Sequence, residues 1–426
     1  MILPTILNEK LPVDPESDHY SFVVYERDAI SDATRIVIKS LFEDDEKSKA
    51  YSSSPRRIDT LMEFIGVALS LPEGDHQVIN KAFQYYRKWL IDPSFFGDME
   101  NQNLYIRRII KQLSIPFGLE IKKETFEIVS EILKSWDVLS LEKGKELDIE
   151  TWKILLFVII GVCHHLIIEK DNNKENAEMH TALKQKSVNL CFNIMKRSPF
   201  TYDYYNEKID AKSIWMVFLK YANAWSGDLV FVKVWNEKIN DAFRLLYSRL
   251  YKYDCGEEHD KFDTVLSDKV VSMMFFYILK AMNYQLTLTT SELLEELFKS
   301  VDNIVNQIID YSSKKSECLK IKFPAKPFFE LFGKIITFSP IQDKRYDKAI
   351  SIRLNTIVKI MTSFDLTGSE DLILKLIATI GWNINDIHLE FVTSFIVNVV
   401  SLFETEDEKL PYISSLIVQS IPRIKI

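Results

Sequence analysis

A chain of 426 residues with a net charge of −8 has no broad electrostatic grip on nucleic acid or anionic lipid, since both demand a basic surface. Hydrophobic residues make up 47% and charged residues 27%, the balance of a soluble globular protein long enough for about two or three domains or one elongated array. Gly (11) and Pro (13) are too scarce for many tight strand turns, so the composition favours helices.

The amino terminus, "MILPTILNEKLPVDPESD", places Pro4 and several acids where a signal peptide would need basic residues before an apolar core. Residues 1–55 read as a mixed extension that ends in the polar linker "FEDDEKSKAYSSSPRR". From Arg57 one amphipathic helix follows another. Ile58, Leu61, Met62, Ile65, Ala68 and Leu69 recur at helical spacing and stop at Pro72-Glu73-Gly74. "HQVINKAFQYYRKWLID" stops before Pro93, "NLYIRRIIKQLSIPF" is broken by Pro116, and "KKETFEIVSEILKSWDVLS" forms a fourth helix.

"DIETWKILLFVIIGVCHHLI", residues 148–167, is the most apolar stretch. Its uninterrupted apolar run, Ile154 to Cys163, falls short of the roughly 18 residues that span a bilayer. Asp148 can cap the start and Glu150 suits the first turn. A helix apolar nearly all round is one with neighbours on several sides. His164 and His165 point about a quarter-turn apart, so the pair reads as packed or surface histidines and not as a metal site.

Further helical patterns cover 176–197, 210–228, 231–256, 267–284 and 289–311, the last opening with Ser291 and glutamates suited to a helix start. Trp225, beside Ser226-Gly227-Asp228, reads as a packed helix end, with a contact residue at a loop as the alternative. A connector follows, then patterns at 328–339, 344–363, 369–380 and 386–404, with a short piece after Pro411. The domain reading is therefore an extension at 1–55, a first helical-repeat region at 56–312, a connector at 313–327 and a second helical-repeat region at 328–426. Roughly thirteen to fifteen helices on short loops predict an all-α fold, an irregular HEAT- or armadillo-like α-solenoid. No tetratricopeptide or ankyrin signature is present.

The chain carries no phosphate-binding glycine loop, no G-x-S-x-G and no H-E-x-x-H. Asp44-Asp45 and Glu295-Glu296 read as solvated carboxylates, and Arg107-Arg108 and Lys314-Lys315 are too small as basic clusters to hold nucleic acid. Cys163, Cys191, Cys255 and Cys318 lie far apart without C-x-x-C spacing, as reduced structural thiols of a cytoplasmic protein do. No catalytic, cofactor-binding or metal-binding residue is expected.

Several segments, in order, resemble the N-terminal region of the non-catalytic beta subunit of the Ral GTPase-activating protein complex, a relative of tuberin. They are "RIDTLMEFIGVALSLPEGDHQVINKAFQYYRKWL" (57–90), the "ETW-x-x-LL" helix carried by Glu150, Thr151, Trp152, Leu155 and Leu156, the helix pair around Trp235, the motif at Leu331-Phe332-Gly333, and "WNINDIHLEFVTSFIVNVVSLFE" (382–404). The resemblance implies a non-catalytic scaffold that regulates small-GTPase signalling by protein contacts and forms a hetero-oligomer with a catalytic GTPase-activating subunit. The family's GTPase-activating domain lies far C-terminal and completes the GTPase site with an asparagine; no segment here corresponds to it. The resemblance therefore describes a fragment of a longer protein or a shortened relative. The alternative is an unrelated HEAT-like adaptor or transport factor with similar helical patterning, and an enzyme is the third.

Overall fold

Asp148 accepts the backbone N–H of Thr151 at 2.7 Å, and Glu150 follows in the first turn, where the helix dipole favours an acid. The same device starts other helices. Asp228 accepts from Val230 and Phe231 at 2.8 and 3.1 Å. Thr290, and not Ser291, receives the N–H of Leu293 at 3.3 Å, which makes Ser291 the first helical residue.

The computed structural model describes residues 27–43, 55–96, 99–119, 122–168, 176–251, 266–282 and 290–313, and single positions between 348 and 359. The helices are α1 Arg27–Glu43, α2 Pro55–Ala68, α3 His76–Ile91, α4 Met99–Gln112, α5 Lys123–Glu142, α6 Ile149–Ile168, α7 Ala177–Arg197, α8 Ala211–Trp225, α9 Leu229–Tyr251, α10 Asp268–Lys280 and α11 Ser291–Ser313. Short helical turns at Glu73–Asp75, Pro93–Phe96, Ile115–Gly118 and Pro199–Tyr202 link some of them. Among the described residues there is no strand, and the fold is all-α.

Two differences from the sequence reading have plain causes. Helix α1 lies inside the segment read as a mixed extension. It buries Thr34 and Ile38, while Arg35 reaches Asp75, which precedes α3, with bonds of 2.9 and 2.7 Å. Helix α4 starts at Met99, before the apolar pattern at Asn103, because Asn103 Nδ2 donates back to the Met99 carbonyl and Glu100 occupies the first turn. Cys255, Cys318, the connector and the patterns at 328–339, 369–380 and 386–404 lie outside the described residues; the described positions between 348 and 359 are helical.

The chain divides into two compact units, Met1–Tyr221 and Ala222–Ile426. In the first, helices two apart in sequence lie side by side and run the same way. Phe126 and Ser130 near the start of α5 meet Lys186 of α7, and Asp137 and Ser140 further along meet Arg197 at its end. Those hydrogen-bonded pairs are 56, 57 and 60 residues apart. Asp59 and Glu63 of α2 pair with Arg108 of α4, and Gly66 further along faces Gln112. In the second unit α11 runs parallel to the helical positions at 348–359: Glu295 meets Lys348, and Asp302 meets Thr356 and Lys359. Neighbours in sequence run antiparallel there, with Trp235 and Phe243 of α9 against Ile278 and Phe275 of α10. Short loops force consecutive helices to reverse, so alternate helices come out parallel.

Tryptophans fill the interior. Trp136, Trp152, Trp215, Trp225 and Trp235 are fully buried. Three direct the indole N–H to a backbone carbonyl: Trp152 to Gly144 at 3.0 Å, Trp215 to Phe200 at 3.2 Å and Trp235 to Ile278 at 2.7 Å. Each of these bonds satisfies a buried indole donor and ties a helix to a loop or neighbour.

Candidate interaction surface

The first unit presents two kinds of helix row. In the row of α3, α5 and α7 most exposed positions are polar, with Gln84 and Lys88 on α3, Glu127 and Lys134 on α5, and Gln185 and Lys186 on α7, while Ile91 at the end of α3 and Leu141 near the end of α5 are exposed apolar side chains. Charges there bond from helix to helix. Arg87 lies 3.5 Å from Glu131, and Lys186 bonds Ser130 at 3.2 Å with its ammonium 5.0 Å from the Phe126 ring centre. The buried Arg197 donates to Asp137 at 2.6 Å and to Ser140 at 3.0 Å. These side chains act as staples between helices.

Helices α4 and α6 are joined differently. Asn103 of α4 donates to the Glu146 carbonyl at 3.1 Å and accepts the Asp148 N–H at 3.0 Å, which seats the start of α6 on α4. Beside this junction stand Leu104, 49% exposed, and Ile149, 43% exposed, with Met99, 48% exposed, one turn before Asn103. Arg107 follows on α4 and donates its Nε–H to the Asn103 carbonyl at 3.3 Å. One turn further, Lys111 has its pKa lowered, first because it is partly desolvated and then by the nearby Arg107; Glu150 works weakly the other way. Among the described residues no carboxylate pairs with Arg107 or Lys111 within ion-pair distance. On α6, Lys153 stands 3.8 Å from Glu150.

Helix α6 itself is long and apolar enough to cross a membrane by length and composition, more so than the run Ile154–Cys163 alone indicated. In the fold 67% of that stretch is buried inside the protein, against α4 and α7 among others. Its side chains therefore serve as a core between helices, the role an all-round apolar helix has in a layered α fold. At its far end the His164 ring meets Tyr221 edge-on, 5.1 Å between centres, and burial followed by the neighbouring His165 lowers the His164 pKa. Both histidines are half-buried. Among the described residues no three His, Cys, Asp or Glu side chains come together as a metal-binding group.

Cys163 and Cys191 are free and buried on α6 and α7, and burial, with Cys191 alongside, pushes the Cys163 thiol well up. A thiol held protonated in a core is inert. Trp225 packs 5.8 Å from Phe231, edge-on and fully buried, as a packed helix end. Sequence reasoning named no surface residue. The signal it missed is the exposed apolar pair Leu104 and Ile149, which in sequence look like members of core stripes.

Comparison with known proteins adds the following. Residues 122–253 match the family model of the RALGAPB N-terminal domain, a range that runs from the start of α5 to the end of α9. Over that range the resemblance to the N-terminal region of the Ral GTPase-activating protein beta subunit holds. No curated protein matches. A crystal structure of an engineered protein aligns over 98% of both chains at 12% identity with a TM-score of 0.25, a value too low to carry an argument.

Proposed function

We propose that this chain is a non-catalytic helical scaffold of a small-GTPase-activating complex, acting through protein–protein contacts with a catalytic GTPase-activating subunit. The observation that carries this reading is the match of residues 122–253 to the RALGAPB N-terminal domain. The helices form an irregular HEAT- or armadillo-like solenoid. In support, side chains of alternate parallel helices bond across 43–45 residues between α4 and the start of α6, 45–49 between α2 and α4, and 56–60 between α5 and α7. The 43–49-residue spacings are close to HEAT and armadillo units of roughly 40–47 residues, and the longer spacing between α5 and α7 makes the stack irregular. The protein works in the cytosol, where its thiols stay reduced.

The test is an affinity pull-down of the chain from its native cell, followed by mass spectrometry. Recovery of a protein with a GTPase-activating domain, in constant ratio to the bait, is the expected result. Recurrent recovery of cargo or coat proteins instead would replace this reading with a HEAT-like adaptor. Purified chain alone should leave the GTP hydrolysis rate of Ral-type GTPases unchanged; stimulation would make it an enzyme.

A further inference from the structure

The geometry points to the surface formed by α4 and the start of α6 as the docking site for an acidic amphipathic helix of a partner protein, a proposal that rests on the scaffold reading above. Two features coincide there. Leu104 and Ile149 stand exposed on either side of the Asn103 junction, and Arg107 and Lys111 continue along α4. From Leu104 to Lys111 is about 10 Å, two helical turns at 1.5 Å per residue. A partner helix with large apolar residues one turn apart and acids two turns on therefore meets both halves of the surface.

The charge argument sets the sign of the partner. The protein as a whole is acidic, at −8. Yet Lys111 and Lys153 both sense Glu150 here, and only Lys153 lies within ion-pair distance of it. Three arginines elsewhere on the first unit are occupied by carboxylates: Arg35 by Asp32 and Asp75, Arg108 by Asp59 and Glu63, Arg197 by Asp137. An arriving carboxylate beside Lys111 and Arg107 relieves their mutual repulsion and pairs charges that are already partly stripped of water. The apolar pair supplies the buried contact, and the cations supply the register and the speed of encounter.

The test uses the full chain and a fluorescein-labelled 20-residue helix of leucines and glutamates in amphipathic order, titrated by fluorescence anisotropy. Saturable binding is expected, weakening as salt rises from 50 to 300 mM because the exposed charges are screened. Arg107→Glu with Lys111→Glu, and separately Leu104→Asp, should each weaken it by about tenfold or more, a loss of about 1.4 kcal/mol per tenfold. Both variants should keep a melting temperature near that of the wild type, since Leu104 and Lys111 are exposed and the half-buried Arg107 donates, among the described residues, only to the Asn103 carbonyl of its own helix. Equal affinity for a scrambled helix, or no loss in either variant, would overturn the proposal. So would capture of the chain by phosphatidylserine vesicles with no binding to the helix. The native-cell pull-down repeated with the double variant separates the two readings. A catalytic subunit retained at wild-type level leaves the scaffold standing and removes this surface, while a subunit absent even with wild type removes the scaffold.

Discussion

Two sets of inter-helix junctions in the first unit use positive charge differently, although the α2–α4 junction, stapled by Arg108 to Asp59 and Glu63, sides with the first set. Along α3, α5 and α7, cations end on the next helix of the row: Arg87 beside Glu131, Lys186 on Ser130, Arg197 on Asp137 and Ser140. Along α4 and the start of α6, Asn103 makes the inter-helix bonds, and Arg107 and Lys111 are left without a carboxylate. A neutral amide can hold two backbones together at full strength without needing a counter-charge. The cations beside it are thereby released from a structural task. Paired charges read as architecture, and unpaired charges next to exposed leucine and isoleucine read as surface on offer.

The largest effect should come from removing the packing that both rows share. Trp152 of α6 is buried and bonds the Gly144 carbonyl between α5 and α6. Trp152→Ala should cost about 3–5 kcal/mol, as loss of a large core aromatic does. Urea unfolding followed by circular dichroism measures it; a cost below about 1 kcal/mol would mean the site collapses around the gap.

Next comes the staple between α5 and α7. Arg197 is 8% exposed, while the Asp137 side chain is 41% exposed. Arg197→Met keeps an apolar stem and lets Asp137 hydrate, so the expected loss is about 1–3 kcal/mol, the range for a hydrogen bond to a charged group. Asp137→Asn should cost less than Arg197→Met if the Asn carbonyl still accepts, because the buried guanidinium then keeps a partner. The reverse order, read from the two urea midpoints, would show that the charge of Asp137 matters more than its acceptor.

Gly144 tests how tightly the α5–α6 joint is drawn. A Cβ there would lie 2.5 Å from the Ser140 carbonyl oxygen and 2.9 Å from the Trp152 ring. Backbone and a buried indole give little room, so Gly144→Ala should cost about 1–3 kcal/mol through overpacking. Because Ser140 also receives Arg197, the Gly144→Ala and Arg197→Met changes should be non-additive in a double-mutant cycle.

How far these features were legible in the sequence depends on their range. Helix ends signalled by local chemistry were readable: the stop at Leu71-Pro72 follows the end of α2 at Ala68, and the Asp148 cap is where the residues put it. The all-round apolar character of α6 announced a helix with neighbours. Partners were not readable, because Arg197 and Asp137 are 60 residues apart and Arg108 has two acids within 49. Helix α1 was passed over although Ile30, Ala33, Val37, Ile38 and Leu41 recur at helical spacing, because the acidic, serine-rich stretch after it marked the whole segment as linker; its Arg35–Asp75 tie to the start of α3 is not visible in sequence. Leu104 and Ile149 carry the same periodic signal as core residues; only packing leaves them outside.

The smallest effect carries the most pointed sign. Lys111 is held as a cation against its surroundings, partly desolvated and near Arg107, which lowers its pKa. Lys111→Met removes that cost, so stability at neutral pH should stay level or rise by up to about 0.5 kcal/mol, a small change because solvent screens the site. The pH dependence fixes the cause. With its pKa lower in the folded state, Lys111 binds fewer protons there than in the unfolded chain at alkaline pH. Its contribution to stability therefore increases as pH rises through the folded value towards the ordinary lysine range. Buried Tyr86 works the other way, since its phenol is pushed well up and the unfolded chain ionises first, lowering stability in the same range. Subtracting the Lys111→Met curve from that of the wild type cancels Tyr86 and should leave a difference that closes as pH rises. A flat difference would mean that Lys111 is ordinary surface lysine, and the contrast between the two rows would then rest on Leu104 and Ile149 alone.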